Sequence, residues 1–259
     1  MQRNWTIREN LIAALSLVLI SGASVHAGTP PEPRAAEPEA LRLLVVTGGH
    51  KYQTSFYTMF EGYDDWTWMH ETTPIKEYRW DKLEAYRDDF RDKYDVLVLF
   101  DLAREDMPEQ AQKNLRDFVE SGKGVVVLHH AIANQGYGEW WYKDVVKGLY
   151  LLQPMMGRAG SIPNHGEILI ARPTIQHPIT KGVGELRLHD EAYKDMWISP
   201  EVTVLMETDN PNSDRQVVWI SPYKKSRVVY IEMGHDNKAH LHPGYRKLIR
   251  QAIQWSAGR

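Results

Sequence analysis

The 259-residue chain contains no cysteine. That absence excludes structural disulfides, a cysteine-linked lipid anchor and a thiol nucleophile. Clustered Lys and Arg are also missing, and the formal net charge is −3, so the electrostatic footprint of a nucleic-acid binder is absent. No stretch reads Gly-x-Ser-x-Gly, Gly-x-x-x-x-Gly-Lys-Ser/Thr, Gly-x-Gly-x-x-Gly or His-Glu-x-x-His. Serine-hydrolase, phosphate-loop, dinucleotide and zincin chemistry therefore lack their usual sequence carriers. No internal repeat is visible.

The apolar run Leu11 to Ile20 is ten residues long, half of the roughly 20 needed to span a bilayer. Arg3 and Arg8 precede it and Val25-His26-Ala27 follows, the pattern of a secretory signal peptide over residues 1–27. Its removal takes the formal charge from −3 to −4. Periplasmic or secreted localisation is the expectation, with no membrane attachment after cleavage. A cysteine-free chain suits such a compartment. Residues 28–40 hold four prolines in polar surroundings and read as a semi-extended linker. Residues 41–259 then form one α/β domain.

Three apolar runs end in histidine: Leu43-Leu44-Val45-Val46-Thr47-Gly48-Gly49-His50, Val125-Val126-Val127-Leu128-His129-His130 and Val228-Val229-Tyr230-Ile231-Glu232-Met233-Gly234-His235-Asp236. Short β-branched runs bounded by turn residues read as buried parallel strands, and ligands of open α/β sheets bind beyond the carboxyl ends of such strands. Between Tyr94 and His130 the pattern is strand, helix, strand. Asp95–Asp101 is the first strand, Pro108 sits in an opening helical turn, Ala111, Leu115, Phe118 and Val119 recur at helical spacing, and Gly122 ends the helix. Helices are expected over Thr54–Phe60 and Tyr78–Phe90, the latter with Leu83, Tyr86 and Phe90 inward. Strands are expected over Glu167–Ala171, Thr203–Glu207, Gln216–Ile220 and Arg227–Glu232, the last two joined by a Ser-Pro-Tyr-Lys-Lys turn. A final amphipathic helix carries Leu248, Ile249, Ala252, Ile253 and Trp255. The fold class is α/β, a doubly wound, mostly parallel sheet flanked by helices, with an antiparallel part in the C-terminal half.

Imidazole and carboxylate are the chemistry that remains. Neutral histidine is the commonest metal-ligating side chain, and its pKa near neutrality also suits proton transfer. His50, His129, His235 and Glu191 are the candidate ligands of a divalent transition metal (Zn, Mn, Fe, Co or Ni), and the same four with Asp236 are the candidate catalytic residues. Asp190 and Asp101 are further carboxylates. Each has a plainer reading. His50 follows two glycines that serve a backbone turn, and Asp236 is either the orienting partner of His235 or the cap of the next segment. His129 is read as facing the site and His130 as a satisfied core histidine. His177, before Pro178, is a ligand contact or an ordered loop side chain, while His240 and His242 read as solvent-exposed. The aromatics Tyr137, Trp140, Trp141 and Tyr142, with Trp66 and Trp68, offer flat faces for sugar rings or belong to the core.

The ordered series Val46-Thr47-Gly48-Gly49-His50, Leu128-His129-His130-Ala131, Trp140-Trp141-Tyr142, His177-Pro178-Ile179-Thr180, Asp190-Glu191-Ala192-Tyr193 and Gly234-His235-Asp236 resembles the ThuA-like, trehalose-utilisation family over about residues 41–256. The resemblance implies a flavodoxin-like sheet akin to that of class I glutamine amidotransferases, without their catalytic cysteine. It also implies carbohydrate metabolism, with members associated with oxidised, 3-keto disaccharides and glycosides. His50, His129, Glu191 and His235 fall on the family's motif positions; Trp141, Tyr142, Tyr193 and His177 are the expected substrate contacts. The export signal departs from the cytoplasmic setting of some relatives.

The reading is an exported enzyme that abstracts a proton beside a sugar ketone, with metal assistance, leading to elimination, hydrolysis or isomerisation. The partner is a small carbohydrate, and homo-oligomerisation is left open. Two other classes stand beside it: a non-catalytic carbohydrate-binding protein using the aromatic rim, and a metal-free glycoside hydrolase in which Asp190 or Glu191 has a partner carboxylate about 5 to 9.5 Å away. Whether the strand-end histidines hold a metal or move protons themselves is the question that spacing leaves to geometry.

Overall fold

A computed structural model describes residues 39–73 and 86–259. Five strands form the parallel half: β1 (Leu41–Gly48), β2 (Trp66–Thr73), β3 (Val96–Asp101), β4 (Gly124–Leu128) and β11 (Val228–Ile231). The intervening and remaining strands are β5 (Gly148–Leu149), β6 (Ile162–Pro173), β7 (Leu186–Lys194), β8 (Trp197–Ile198), β9 (Thr203–Thr208) and β10 (Gln216–Ile220). The main sheet runs β2-β1-β3-β4-β11-β10-β9-β6-β7, and β5 pairs with β8 in a small separate ladder. Pairings from β2 through to β11 are parallel and those from β11 to β7 antiparallel. The parallel order is that of a flavodoxin-like sheet.

Strands β1, β3, β4 and β11 are buried on both faces, to which alternate residues point, whereas the edge strand β2 is largely exposed. Leu43, Val45, Val98, Val126, Leu128 and Val229 lie in one cluster with Phe56, Met59 and the helix α3 (Pro243–Ser256). Leu44, Val46, Leu97, Leu99, Val125 and Val127 lie in the other with Leu115, Phe118 and Val119 of α1 (Glu109–Glu120). The expected α1 and α3 are thus present with the expected inward residues, and Pro108 sits at the N-cap of α1, one position before the helix.

The helix expected over Thr54–Phe60 differs in type. Thr54–Met59 is a 3-10 helix, because the segment is too short to offset the cost of α-helix nucleation and Gly62, at φ +79°, turns the chain just beyond it. Of Tyr78–Phe90, residues 78–85, including Leu83, lie outside the described residues. Tyr86 is in 3-10 conformation, residues 87–90 are turn, bend and irregular, and Tyr86 and Phe90 are buried as expected. Strands β2 and β7 were not anticipated. Trp66 and Trp68, read as sugar-facing or core aromatics, lie on β2, where Trp66 is core and Trp68 stacks on Tyr57.

The antiparallel half curls. On a flat sheet β7 would stand four strand spacings from β11, about 19 Å at 4.8 Å each. Yet the Asp190 carboxylate of β7 accepts hydrogen bonds at 2.8 and 2.9 Å from the backbone N–H groups of Gly234 and His235, just beyond β11. β9 pairs with β6 only at Ala171–Pro173, which leaves the rest of the β6–β7 hairpin free to arch over the carboxyl ends of the parallel strands. A short helix α2 (Asn237–His240) closes the end of β11. Among the described residues no helix is long and apolar enough to cross a membrane.

Phe118, fully buried, stacks on Phe90 with ring centroids 4.6 Å apart. Phe118→Ala is expected to destabilise the fold by about 3–5 kcal/mol, read as a lowered midpoint in urea unfolding. A change below about 1 kcal/mol would show that α1 does not clamp this face of the sheet.

Candidate functional site

Three strand ends and the middle of β7 deliver the polar side chains. After β1, Gly48 and Gly49 adopt φ of +107° and +67°, backbone open to glycine, and turn His50 toward the sheet's carboxyl edge. After β4, His129 itself sits at φ +50°, an αL conformation costing a non-glycine residue about 1 kcal/mol or more. Its side chain bonds explain why the conformation persists. Nδ1 donates to the Glu232 carbonyl at 2.7 Å, so Nε2 faces the cluster, as a lone pair in the neutral ring and as a donor to Glu191 in the protonated one.

That nitrogen lies 2.9 Å from Glu191 Oε2 and 3.2 Å from His235 Nδ1, and the last two are 3.0 Å apart. The Tyr193 hydroxyl bridges His129 Nε2 at 2.9 Å and Glu191 Oε2 at 3.2 Å. His165 Nδ1 reaches the other carboxylate oxygen, Oε1, at 3.1 Å. Glu191 is buried and His129 wholly so, while His235 is partly open. Asp190 shapes the frame from behind. It accepts N–H groups from Glu191, Gly234 and His235, fixing both neighbours on which the cluster depends. Gly234 cannot carry a side chain there: its φ is +131° and a Cβ would lie 2.4 Å from the Tyr245 hydroxyl.

Burial works to raise the Glu191 carboxyl, but the hydrogen bonds and charges of His129 and His235 outweigh it and hold the group well below the usual carboxylate range. The hydrogen bond to Glu191 in turn raises His235. Burial lowers His50, and burial together with the neighbouring His129 and His50 keeps His130 well below its ordinary value. Both rings are therefore neutral at neutral pH.

A cavity of about 220 Å³ opens on this cluster. Glu191, Tyr193, His50, His130, His165 and Arg104 give it polar walls; Leu102, Ala133, Tyr150, Leu152 and Pro163 give it apolar ones. That volume is below the 300–1,000 Å³ usual for drug-sized ligands and suits one sugar ring with the remainder in solvent.

The structure sorts the expected site residues. It brings His129, Glu191, His235 and Tyr193 together. His50 lines the cavity, but its Nδ1 bonds the Lys51 carbonyl and it stands outside the group of converging ligand atoms. His130 is buried as expected but not satisfied: its Nε2 has no hydrogen-bond partner, and the residue lines the cavity. Asp236 is the cap of α2, accepting from the Lys238 N–H at 2.8 Å, so Asp190 holds the orienting role considered for it. Trp141 is core, packed on Tyr137, and Tyr142 packs with Leu149, Leu151 and Trp197; neither lines the cavity. His177 caps a distant 3-10 turn through the Ile179 N–H and packs on Trp255. His240, read as exposed, is fully buried between Ser55 Oγ and the Gly234 carbonyl, while half-buried His242 caps α3. Asp101 is buried and bound by Asn134 and Tyr137, away from the cluster.

His165 and Arg104 were missed. His165 sits at a register shift in β6, before Gly166 at φ +75°, so the strand pattern begins too late to include it. A His-Gly pair directly ahead of a strand is the signal that marks it.

A model of the ThuA family, described as trehalose utilisation, matches residues 42–256. The chain belongs to the ThuA family. Its description gives the chain a carbohydrate-related role. ThuA-like proteins of known structure from Parabacteroides merdae (19% identity, TM-score 0.65, covering 85% of this chain and 90% of that one) and Bacteroides uniformis (19%, 0.58, 88% and 95%) share the fold. A β-galactosidase from Bacillus circulans sp. alkalophilus shares it over 85% of this chain and 31% of its own length, at 11% identity and a TM-score of 0.52. Among curated proteins none matches the sequence.

Burial drives the pKa of His240 down from 6.5 to about 4. A histidine lowered by folding takes up its proton first in the unfolded chain, so stability is full above about pH 6.5 and falls as pH drops toward 4, by on the order of 3 kcal/mol. His240→Gln is expected to flatten the urea-stability profile over that window. An unchanged slope would mean that another group carries it.

Proposed function

We propose that this ThuA-family protein is an exported, cation-dependent enzyme that abstracts a proton beside the carbonyl of an oxidised sugar or glycoside, leading to elimination, hydrolysis or isomerisation. The observation that carries the proposal is the triangle of His129 Nε2, Glu191 Oε2 and His235 Nδ1, with edges of 2.9 to 3.2 Å. Atoms bound to one cation at about 2.1 Å in tetrahedral or octahedral order stand about 3.0–3.4 Å apart. Two imidazoles and one carboxylate are also the donor set of divalent sites that keep open positions for substrate. The donors fit in a further respect: the Nδ1 proton of His129 is committed to a carbonyl, which leaves a lone pair facing the other two. The group would take Zn, Mn, Fe, Co or Ni, and a bound cation would polarise a sugar carbonyl, contributing several kcal/mol to enolate stabilisation.

The chain's own residues supply the rest. His50, neutral and with Nδ1 held by Lys51, keeps Nε2 free to take the proton from the carbon beside the ketone. Tyr193 and His165 hold the Glu191 carboxylate in place. Tyr150 lines the cavity and offers aromatic surface to the sugar. The two-carboxylate hydrolase is disfavoured, because Glu191 is the one carboxylate among the described lining residues and Asp190 is consumed by backbone N–H groups. The signal-like pattern of residues 1–27 supports export, and a mature chain beginning at Gly28 by intact mass would agree with it.

Metal analysis and titration of the apoprotein are expected to show one divalent cation per chain. His129→Ala and His235→Ala should weaken it by about 100-fold or more, whereas His50→Ala keeps the cation and loses turnover of a 3-keto-glycoside. Asp236→Asn should change neither. Turnover of unoxidised glycosides by metal-stripped protein would sink the proposal.

A further inference from the structure

Arg104, exposed at the rim, is the one fixed positive charge among the described residues lining the cavity, and it makes no hydrogen bond or ion pair with any described residue. The surrounding backbone, by contrast, is held on every side. The Leu102 N–H donates to the Gly48 carbonyl at 3.0 Å. The Ala103 N–H donates to Asn134 Oδ1 at 2.7 Å, and the Ala103 carbonyl accepts from the Gly136 N–H at 3.0 Å. The Met107 N–H donates to the Gly136 carbonyl at 2.7 Å. Asn134 and Tyr137 are themselves fixed by the buried Asp101 carboxylate. The two loops meet so closely that a Cβ on Gly136 would lie 2.0 Å from the Glu105 carbonyl oxygen.

A buried charge, two loops and a glycine with no room for a side chain thus fix where Arg104 leaves the backbone, while its guanidinium is left without a partner among the described residues. This loop follows β3 and faces the loop after β1, the switch point at which flavodoxin-like sheets bind ligands. The acidic neighbours Glu105 and Asp106 do not line the cavity. Glu191, the one carboxylate that does, is already engaged by His129, His235, His165 and Tyr193.

We propose that Arg104 is the specificity residue of this cavity and that it selects sugars bearing a carboxylate, of the uronic- or aldonic-acid class, over neutral sugars of the same size. A planar guanidinium binds a carboxylate through two parallel hydrogen bonds, which fixes the orientation of the ring as well as its charge. The proposal rests on the reading of the cavity as a sugar site but not on the cation. A cation held by a single carboxylate would add to the surplus of positive charge and strengthen the preference.

The test is calorimetric titration of D-glucuronate and D-glucose into metal-stripped and zinc-loaded protein at fixed ionic strength, for wild type, Arg104→Lys and Arg104→Gln. Wild type is expected to bind glucuronate at least tenfold more tightly than glucose in both forms. Arg104→Lys should keep part of that preference and Arg104→Gln should lose it, with zinc stoichiometry unchanged in both variants. Equal binding of the two sugars by wild type, or a preference that survives in Arg104→Gln, overturns the assignment. Failure to bind zinc would instead overturn the cation reading and leave the Arg104 result to stand by itself.

Discussion

The carboxylate of Asp190 is the point on which the molecule's functional end depends. Three backbone N–H groups converge on it, one from its own strand and two from the turn beyond β11. Burial raises this carboxyl, and the three donors oppose that effect by stabilising the charged form. A charge wholly removed from water is retained only when its lone pairs are filled in this way. Here they are filled by the backbone of the elements that must be brought together. The hairpin β6–β7 is thereby tied over the ends of the parallel strands, and Glu191 and His235 are set facing one another.

From that tie the rest of the site follows by short steps. His129 accepts a strained backbone because the Glu232 carbonyl takes its Nδ1 proton, and Glu232 lies immediately after β11. The Glu232 side chain accepts from the Tyr193 N–H and the Ser213 hydroxyl, so the same residue also steadies the tyrosine that bridges His129 and Glu191. Buried His240 holds the Gly234 carbonyl from the other side. The result is a dense polar cluster in which the outer partners are mainly backbone groups, an arrangement that orients ligands firmly without adding further charge.

Much of the parallel half was legible in the chain, because Val125–Leu128 and Val228–Ile231 are apolar enough to be read as buried strands and Ala111, Leu115, Phe118 and Val119 keep helical spacing. The antiparallel half was harder to read. β7 carries His189-Asp190-Glu191 in its middle, a polar run that resembles a turn, and although His189 is exposed, Asp190 and Glu191 are buried through hydrogen bonding rather than through hydrophobicity. His240 misled for the same reason, since its burial depends on Ser55, far away in sequence. Trp141 and Tyr142 looked like a sugar platform because an aromatic pair has the same composition in a core as on a rim; only packing against Tyr137 and Leu149 tells the two apart. Arg104 carried no signal at all, since a charged residue in a loop is commonplace and its meaning comes from what it fails to meet.

The pairing of β4 with β11 has a further consequence. His129 and Glu232 are 103 residues apart, and everything between them is synthesised before the fifth parallel strand exists. Until then the valine-rich edge of β4 has nothing on that side to pair with, and exposed edges of this kind invite pairing with other chains. Closure of so distant a contact is also slow in itself. The strand that completes the sheet is therefore also the one that ends its most vulnerable stage, and the cluster of His129, Glu191 and His235 cannot assemble in a chain that has not passed it.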